Sequence, residues 1–193
     1  MIVLVSSSPS RANILREAGL DFVVRSFKFD ENLKKEGITP QTYVQKILRQ
    51  KVNQAKEAGL ISALLDEFRH GYLVFADSCV GVNNTVLTKA SDEEQAKKML
   101  LMQSGASASV FTAMAVVSAK FDIFSLSKTT FKFAPYDDKR LKDYLKSGDW
   151  QGKAGAMMIE GFSGEFVLSC EGSLKNAMGL DVDILKAFYE NFI

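Results

Sequence analysis

Histidine, cysteine and proline are all scarce in this sequence. Its 193 residues include one histidine, two cysteines and three prolines. The single imidazole, His70, lies in a polar stretch, which argues against a Ser-His-Asp triad or a histidine metal cluster and predicts a surface position. Cys79 and Cys170 each lie in an apolar segment and are predicted to be small buried hydrophobes rather than a disulfide or redox pair. A reducing, cytoplasmic compartment is therefore expected.

The sequence also lacks an excess of one charge and a long apolar run. Its 24 Lys and Arg residues oppose 23 Asp and Glu residues, which leaves a net charge of +1. Binding to duplex DNA through phosphate neutralisation would need a basic excess, so no nucleic-acid partner is expected. No run approaches the roughly 18 apolar residues of a membrane span, and residues 1–5 are too short for a signal peptide. We therefore expect neither a membrane partner nor a targeting segment.

The apolar patterns that are present predict an α/β fold, with a mixed sheet between layers of helices. Strands are predicted at Ile2–Val5, Phe22–Phe29, Tyr72–Ala76 with a hairpin turn at Asn83-Asn84, Val110–Ser118, Ile123–Phe133, Ala156–Glu160 and Glu165–Cys170. Helices are predicted from Pro9 to Gly19, Thr39-Pro40 to Gly59, a Ser91 capping box to Gly105, Pro135 to Gly148, and onward from Asp181. Residues 1–193 are expected to form one domain, or two lobes around one cleft.

A serine-rich loop, Ser6-Ser7-Ser8, connects the first strand to the first helix. Together with Pro9 and Arg11 it directs hydroxyls, backbone N–H groups and a guanidinium to one place, and a helix N-terminus of this kind favours phosphate. Serine and proline at a helix start are more commonly just a cap. Both interpretations remain open from these residues alone.

Two carboxylates, Glu31 and Asp77, each follow a predicted apolar strand. Side chains at such positions emerge into a crevice beside the sheet, where the pair could hold a divalent cation or one could act as a base toward water. The alternative is that both are solvated loop acids, which suits Asp77 less well because its neighbours on both sides are apolar.

Lys51 on the second helix and Lys89 after the apolar pair Val86-Leu87 are further candidates, although single lysines are usually surface charges. Their interest depends on whether they converge with Arg11 and the two acids. The sequence contains neither a P-loop nor a G-x-G-x-x-G motif that would establish phosphate binding independently.

Taken in order along nearly the whole chain, these positions resemble the Maf family of nucleoside triphosphate pyrophosphatases. The motifs that carry the resemblance are Ser6-Ser7-Ser8-Pro9-Ser10-Arg11, Asp30-Glu31, Tyr43-Val44 through Lys51, Phe75-Ala76-Asp77-Ser78, Thr88-Lys89-Ala90, Ser104-Gly105, Lys153-Ala154-Gly155, and Gly172, Asn176, Gly179 and Leu180. No single motif is decisive, but their order and spacing together are specific.

The resemblance implies an elongated α/β protein of the Maf and inosine-triphosphatase type, with a central cleft and a homodimeric assembly. It implies hydrolysis of the bond between the α- and β-phosphates of common or modified nucleoside triphosphates, with Mg²⁺ or Mn²⁺, in a housecleaning role. Asp77 matches the family's proton acceptor and Glu31 an acid of catalysis or metal binding, so both are candidate metal ligands. The implied phosphate contacts are Ser6, Ser8, Arg11, Lys51 and Lys89.

The sequence departs from the family pattern at several positions, namely Ser10, Ser78, Ala90, Ala106 and Ala108. Glu160, in Ile159-Glu160-Gly161-Phe162, replaces a glutamine of the branch that prefers dTTP and UTP. This form resembles the branch that acts on 7-methyl-GTP, where an acid could pair with the amino edge of a guanine. Ser78 fits that branch poorly, so base preference stays open and Glu160 is a candidate base contact.

Two other functions compete with this interpretation. The substitutions at Ser10 and Ala106 are compatible with a nucleotide-binding regulator of cell division with weak or no catalysis, and the resemblance includes a link to septum formation. An enzyme similar to inosine triphosphatases would share the reaction and differ in the base that it reads.

Overall fold

A computed structural model describes the backbone of residues 1–192 and the side chains of residues 1–189. The strands are β1 (Ile2–Val5), β2 (Phe22–Arg25), β3 (Tyr72–Val82), β4 (Thr85–Leu87), β5 (Ser107–Val117), β6 (Asp122–Phe133) and β7 (Val167–Glu171). The helices are α1 (Pro9–Glu17), α2 (Pro40–Glu57), α3 (Leu60–Glu67), α4 (Glu93–Gln103), α5 (Asp138–Ser147), α6 (Leu174–Ala177) and α7 (Val182–Phe192), with a 3-10 helix at Phe162–Phe166.

One mixed seven-stranded sheet joins these elements, in the order β2-β1-β3-β5-β6-β7, with β4 paired to β3. The strand β1 is parallel to β2 and β3, whereas the other pairings are antiparallel. Helices pack on both faces: α2 and α3 contribute to one buried cluster, and α1 and α7 to another. The predicted α/β class with a mixed sheet is confirmed, and the single domain or two lobes over residues 1–193 stay a prediction.

The central strand β3 is bordered unevenly along its two edges. On one edge β5 pairs with it continuously from Leu73 to Gly81. On the other edge β1 pairs only as far as Val74, and β4 begins only at Val80. Residues 75–79 are therefore left without a strand partner on that edge, and the chain beyond the end of β1 turns away there into α1.

Alternation along β3 sends neighbouring side chains at this gap to opposite faces of the sheet. Phe75 and Cys79 belong to the buried cluster under α2, and Val74 and Ala76 belong to the cluster under α1 and α7. Asp77 therefore shares the α2 face, and Ser78 the α1 face.

The expected positions of both acids are wrong in detail. The strand β2 ends at Arg25 rather than Phe29, because its sole partner β1 ends at the paired residue Val5. Glu31 consequently lies in the segment 26–38, which has no helix or strand. Asp77 does not follow a strand but lies in the middle of β3, which continues to Val82 because β5 supplies its hydrogen bonds.

The predicted hairpin of Ala156–Glu160 with Glu165–Cys170 is also wrong. The N–H groups of Gly161 and Ser163 donate to the Met158 carbonyl, so local turns satisfy this backbone and only β7 forms a strand. Cys170 lies on β7 and is exposed, contrary to expectation, because β7 pairs with β6 along one edge alone.

Two helices begin later than predicted, since a carboxylate caps each of them. The Asp92 side chain accepts from the Gln95 N–H at the start of α4, rather than Ser91. The Asp137 side chain accepts from the Arg140 N–H at the start of α5, three residues beyond its expected start at Pro135. The buried Cys79, the exposed His70 and the Asn83-Asn84 turn are confirmed. No helix among residues 1–192 combines the length and apolar character needed to cross a bilayer.

Candidate active site

A cleft of about 470 Å³ opens at the gap in the edge of β3. Its walls are the loop after β1 with the start of α1, the segment around Glu31, the middle of β3, and a loop that spans residues 151–160. All eight residues singled out in the sequence line this one cleft: Ser6, Ser8, Arg11, Glu31, Lys51, Asp77, Lys89 and Glu160. Residues that are far apart in the sequence therefore converge at one position.

The buried centre of the cleft is an ammonium group between two carboxylates. Lys51 Nζ lies 2.6 Å from Asp77 Oδ1 and 2.8 Å from Glu31 Oε1. The Lys51 and Asp77 side chains are 11% and 13% exposed, whereas Glu31 is 45% exposed. Lys51 occupies the buried stripe of α2 together with Ile47 and Ala55, which is why it reaches the α2 face of β3 where Asp77 points.

The same surroundings affect the two carboxyl groups differently. Burial raises the pKa of Asp77 above its usual range, although the Lys51 ammonium and the Arg11 guanidinium oppose the shift. Burial also acts to raise the pKa of Glu31, but the hydrogen bond and charge of Lys51 hold it below its usual value. A carboxyl with a raised pKa is suited to accepting a proton, and an ionised one to binding a cation.

Arg11 approaches from the opposite face of the sheet. Its Nε donates to the Gly179 carbonyl at 2.8 Å, and its Nη1 donates to Ser6 Oγ at 3.0 Å. Its Nη2 is 3.5 Å from Ser78 Oγ. Gly179 has a φ of +112°, a conformation that side chains rarely adopt, so glycine is required where this carbonyl turns toward the guanidinium.

A buried chain of hydrogen bonds continues from Ser78 away from the cleft. Ser78 Oγ lies 2.9 Å from Thr112 Oγ1, which donates to the Asn176 carbonyl at 2.9 Å. The Asn176 side-chain amide then donates to Thr129 Oγ1 at 2.8 Å. Thr112 and Thr129 were not recognised in the sequence, since single threonines within apolar strands give no signal beyond their alternation.

Thr112→Val should destabilise the protein by about 1–3 kcal/mol, because the substitution keeps the shape but leaves buried hydrogen-bonding groups unpaired. Urea unfolding of the purified protein measures this change. Thr85→Val, at an exposed position on β4, is the matched control and should stay within about 0.5 kcal/mol of wild type. Equal stability of the two variants would contradict the importance of this chain.

The start of α1 has the features of an anion site. Ser8 is the N-cap residue, yet its side chain makes no capping hydrogen bond. Its N–H donates instead to Ser6 Oγ, at 3.2 Å. The N–H groups of the first helical turn are therefore not used by the Ser8 hydroxyl, and with Arg11 beside them they suit a phosphate oxygen.

The donor set fits a divalent cation that is shared with a phosphorylated ligand. Among the residues whose side chains the structure describes, no group of three or more His, Cys, Asp or Glu is placed to hold a metal ion. Mg²⁺ is, however, usually held by one or two carboxylates with water and substrate phosphates. Glu31 and Asp77 supply two such carboxylates beside Arg11, Lys51 and Lys89, so the pair suits an ion that completes its coordination with water and a bound phosphate.

Lys153 and Glu160 belong to the loop of residues 151–160 that forms one wall of the cleft. Lys153 Nζ pairs with Glu160 Oε1 at 2.7 Å, and the apolar side chain of Met157 lies on the same wall. An isolated β-bridge between Lys89 and Ala154 attaches this loop to the segment after β4. The loop therefore adds one charged pair and one apolar side chain to the wall of the cleft, next to Lys89.

A second cavity, of about 580 Å³, lies against Glu31, Asp77 and Lys89. Tyr43 and Lys35 add to its lining, and Lys35 Nζ donates to Thr88 Oγ1 at 2.6 Å. Burial and the charges of the two carboxylates raise the pKa of Tyr43 to about 12, so its hydroxyl stays protonated. Neither Tyr43 nor Lys35 was recognised in the sequence as part of the site, because the pattern around Tyr43 predicts a core position and Lys35 resembles a surface charge.

Comparison with known proteins confirms the family resemblance that the sequence motifs indicated. A family model described as "Maf-like protein" matches residues 1–192. The chain is 44% identical over 188 residues to the "Nucleoside triphosphate pyrophosphatase" of Campylobacter jejuni subsp. jejuni serotype O:23/36, covering 97% of this chain and 100% of that protein. The protein of the same name from a Nitratiruptor species is 37% identical over 189 residues, with 96% of each chain covered.

A more distant relative and a solved structure extend the comparison. The "dTTP/UTP pyrophosphatase" of Nitrobacter winogradskyi is 33% identical over 184 residues, covering 94% of this chain and 87% of that protein. The structure of the Staphylococcus aureus Ham1 protein superposes with a TM-score of 0.53 at 14% identity, covering 98% of this chain and 97% of that one. At that identity the likeness concerns the fold alone.

Proposed function

The chain belongs to the Maf family, and from this membership we propose that it is a nucleoside triphosphate pyrophosphatase. It hydrolyses the α–β phosphoanhydride of common or modified nucleoside triphosphates to a monophosphate and pyrophosphate, and thereby removes surplus or non-standard nucleotides. The observation that carries the proposal is the Glu31–Lys51–Asp77 cluster beside Arg11 in one cleft. The curated relatives named as pyrophosphatases support it.

The phosphate chain is the part of the substrate that this cleft is best suited to bind. Phosphoanhydride hydrolysis asks little covalent chemistry of a protein, but it requires neutralisation of the developing charge and a positioned water. Arg11, the hydroxyls of Ser6 and Ser8, and the first turn of α1 bind phosphate oxygens from one side. Lys51 and Lys89 bind from the other side.

Asp77 is the group proposed to take the proton from the attacking water. It is nearly buried, and its partner Lys51 fixes one carboxylate oxygen at 2.6 Å while the side chain still lines the cleft. The proton passes to the carboxylate as the water oxygen bonds to phosphorus, and pyrophosphate leaves with the electron pair of the broken P–O bond.

Glu31 and Asp77 are the residues that would hold a divalent cation, Mg²⁺ or Mn²⁺. When bound, such an ion supplies positive charge to the phosphate oxygens beside the bond that breaks. Glu31 suits this role because it is half-exposed and points its carboxylate to the same side as Asp77. Lys51 orients both carboxylates and limits the repulsion between them.

Pyrophosphate release from a panel of common and modified triphosphates, with Mg²⁺ or Mn²⁺ and with chelator, tests the proposal. A monophosphate and pyrophosphate in equal amounts are expected, and orthophosphate from the terminal position would contradict the assigned bond. Equal affinity for triphosphate and monophosphate with no turnover would favour the cell-division regulator instead. No described contact favours that alternative, and a preference for purine triphosphates would indicate an inosine-triphosphatase-like specificity.

Glu160 is proposed to contact the base, because it lines the same cleft as the candidate phosphate contacts and stands where the family resemblance implies a base contact. Glu160→Gln keeps the shape, loses the charge and weakens the pair with Lys153. We expect the ratio of kcat/KM between guanine-type and thymine- or uracil-type triphosphates to change by about 10-fold or more, since one hydrogen-bonded contact contributes on this scale. The substrate panel run with both proteins measures this ratio.

The matched control is Glu165→Gln, which removes an exposed carboxylate of the 3-10 helix that pairs with Arg140 outside the cleft. That variant should leave the ratio unchanged. If Glu160→Gln lowered kcat/KM equally for every substrate, Glu160 would stabilise the loop of residues 151–160 rather than recognise the base.

Several further expectations rest on sequence and resemblance. They are a homodimeric assembly, an absence of nucleic-acid and membrane partners, a cytoplasmic location and a link to septum formation. Light scattering of the purified protein tests the first of these, and all of them stay predictions.

A further inference from the structure

Glu31 is held in the cleft although it lies in a segment without regular structure. Residues 26–38 contain no helix or strand, and the Glu31 side chain is 45% exposed. Its ion pair with Lys51 by itself would be a weak constraint, because Glu31 is half-exposed and its long side chain must be ordered to make the pair. Another interaction is therefore needed to explain a fixed position for this carboxylate.

Gln54 supplies such an interaction through its side-chain amide. The Asp30 N–H donates to Gln54 Oε1 at 2.9 Å, and Gln54 Nε2 donates to the Asp30 carbonyl at 2.8 Å. One side chain thus satisfies both hydrogen-bonding groups of a single backbone residue, as a neighbouring strand would in a sheet. The bonded residue is the one immediately before Glu31.

Helix geometry places Gln54 and Lys51 on the same face of α2, three residues apart. Lys51 binds the Glu31 carboxylate while Gln54 binds the backbone beside it, so two adjacent residues of the segment are fixed by one turn of α2. Phe29 adds an apolar contact on the preceding residue, with its ring 6.2 Å from that of Phe75. The segment is anchored at successive positions around the carboxylate.

From this arrangement we infer that Gln54 is a positioning residue for Glu31, fixing the backbone that carries this carboxylate into the cleft. The inference rests on the proposed function, in which Glu31 holds the cation beside the phosphates. Gln54 lies outside the cleft lining, and its effect on the reaction acts through Glu31. A pair of backbone hydrogen bonds is well suited to this task because it constrains both position and direction.

Gln54→Met is the variant that tests the inference, since methionine has a similar length and makes neither hydrogen bond. Hydrogen exchange of the unliganded protein is the first measurement and needs no turnover. The Asp30 amide should exchange at least about 10-fold faster than in wild type, because its acceptor is lost. Asn53→Ala, at an exposed neighbouring position on α2, is the matched control and should leave that exchange rate unchanged.

Activity is the second measurement, made at the Mg²⁺ concentration that saturates the wild type and then across a Mg²⁺ titration. Gln54→Met should lower kcat/KM by about 10- to 100-fold, the range typical for residues that orient a metal-binding side chain. The concentration of Mg²⁺ that gives half-maximal rate should rise, whereas the melting temperature should change little. In a Glu31→Gln background the same substitution should cost less than about 2-fold, because the group that it positions is already removed.

The outcomes separate this inference from the proposed function. Faster exchange at Asp30 with a full additional loss in the Glu31→Gln background would overturn the positioning role, and so would unchanged exchange. If wild type releases no pyrophosphate from any triphosphate, the proposed function fails. The exchange measurement still decides in that case whether Gln54 fixes the segment.

Discussion

Asp77→Asn is expected to slow pyrophosphate release by about two to four orders of magnitude, the usual contribution of a positioned general base. The substitution keeps the size of the side chain and its place in the middle of β3, where β5 fixes the backbone on one edge. It removes the group that takes the proton from water and one of two carboxylates available to a cation. The measurement is kcat with the best triphosphate of the panel, at the Mg²⁺ concentration that saturates the wild type.

Asp66→Asn provides the control, since Asp66 is an exposed acid on α3 and should keep wild-type kcat. Raising the Mg²⁺ or Mn²⁺ concentration distinguishes the two roles of Asp77. Recovery of most of the rate at high metal would show that Asp77 acts through cation binding, and a persistent deficit supports the base. A kcat equal to wild type would remove Asp77 from the mechanism.

Most helices and strands could be predicted from the sequence, because their local patterns agree with the pairings that form in the complete sheet. Apolar residues at helical spacing, followed by Gly59, predict α2 within a few residues, and the Asn83-Asn84 pair predicts the turn after β3. Two of the wrong predictions concern strand ends, because pairing with a neighbouring strand decides where a strand stops. The strand β2 stops where β1 stops, and β3 continues past Ala76 because β5 accompanies it.

The sequence identified the candidate residues one by one, but it did not show how the fold brings them together. Glu31 and Asp77 do lie close together, as predicted, but the predicted reason, that each follows the end of a strand, is wrong. They meet because β1 leaves the edge of β3 open, and because alternation points Asp77 toward Lys51 on α2. Lys51 carried a usable signal, since a lysine at a buried position of an amphipathic helix requires a partner.

Contacts that involve the backbone could not be predicted from the sequence, even where the residue itself belonged to a recognised motif, as Gly179 did. Gln54 is an ordinary helix residue in the sequence, and nothing local shows that its amide meets the backbone of Asp30, which is 24 positions away. The Gly179 carbonyl that binds Arg11 is 168 positions away and is likewise not indicated by any side-chain pattern. Contacts of this kind depend on the completed fold. The sequence therefore predicts which side chains carry the chemistry of the site better than it predicts the contacts that hold them in position.

The near-zero net charge of the chain is matched by a near balance of charges within the cleft. Arg11, Lys51 and Lys89 line one cleft, and Lys51 is matched there by two carboxylates. A triphosphate with its cation adds further negative and positive charge to a site that is already nearly balanced. Such a cleft is suited to a small polyanion without a broad basic surface, which agrees with the absence of a basic excess in the whole sequence.

Lys51→Met should have the second-largest effect, and the effect should appear in both activity and stability. We expect kcat/KM to fall by about 100- to 1,000-fold, the scale on which a single buried charged donor stabilises a phosphoryl transition state. We also expect the unliganded protein to lose about 3–5 kcal/mol of its free energy of unfolding, because Asp77 would be left buried without its ammonium partner. Urea unfolding and steady-state kinetics measure the two quantities.

A double-mutant cycle separates the charge pair from other consequences of losing Lys51. In the Asp77→Asn background, Lys51→Met should cost much less stability than in wild type, since no buried carboxylate remains to be neutralised and Glu31 is half-exposed. Lys46→Met, at an exposed position on the same helix, should change neither activity nor stability. Equal stability costs in the two backgrounds would mean that Lys51 stabilises α2 by packing alone, and the ion pair would then lose its proposed place at the centre of the site.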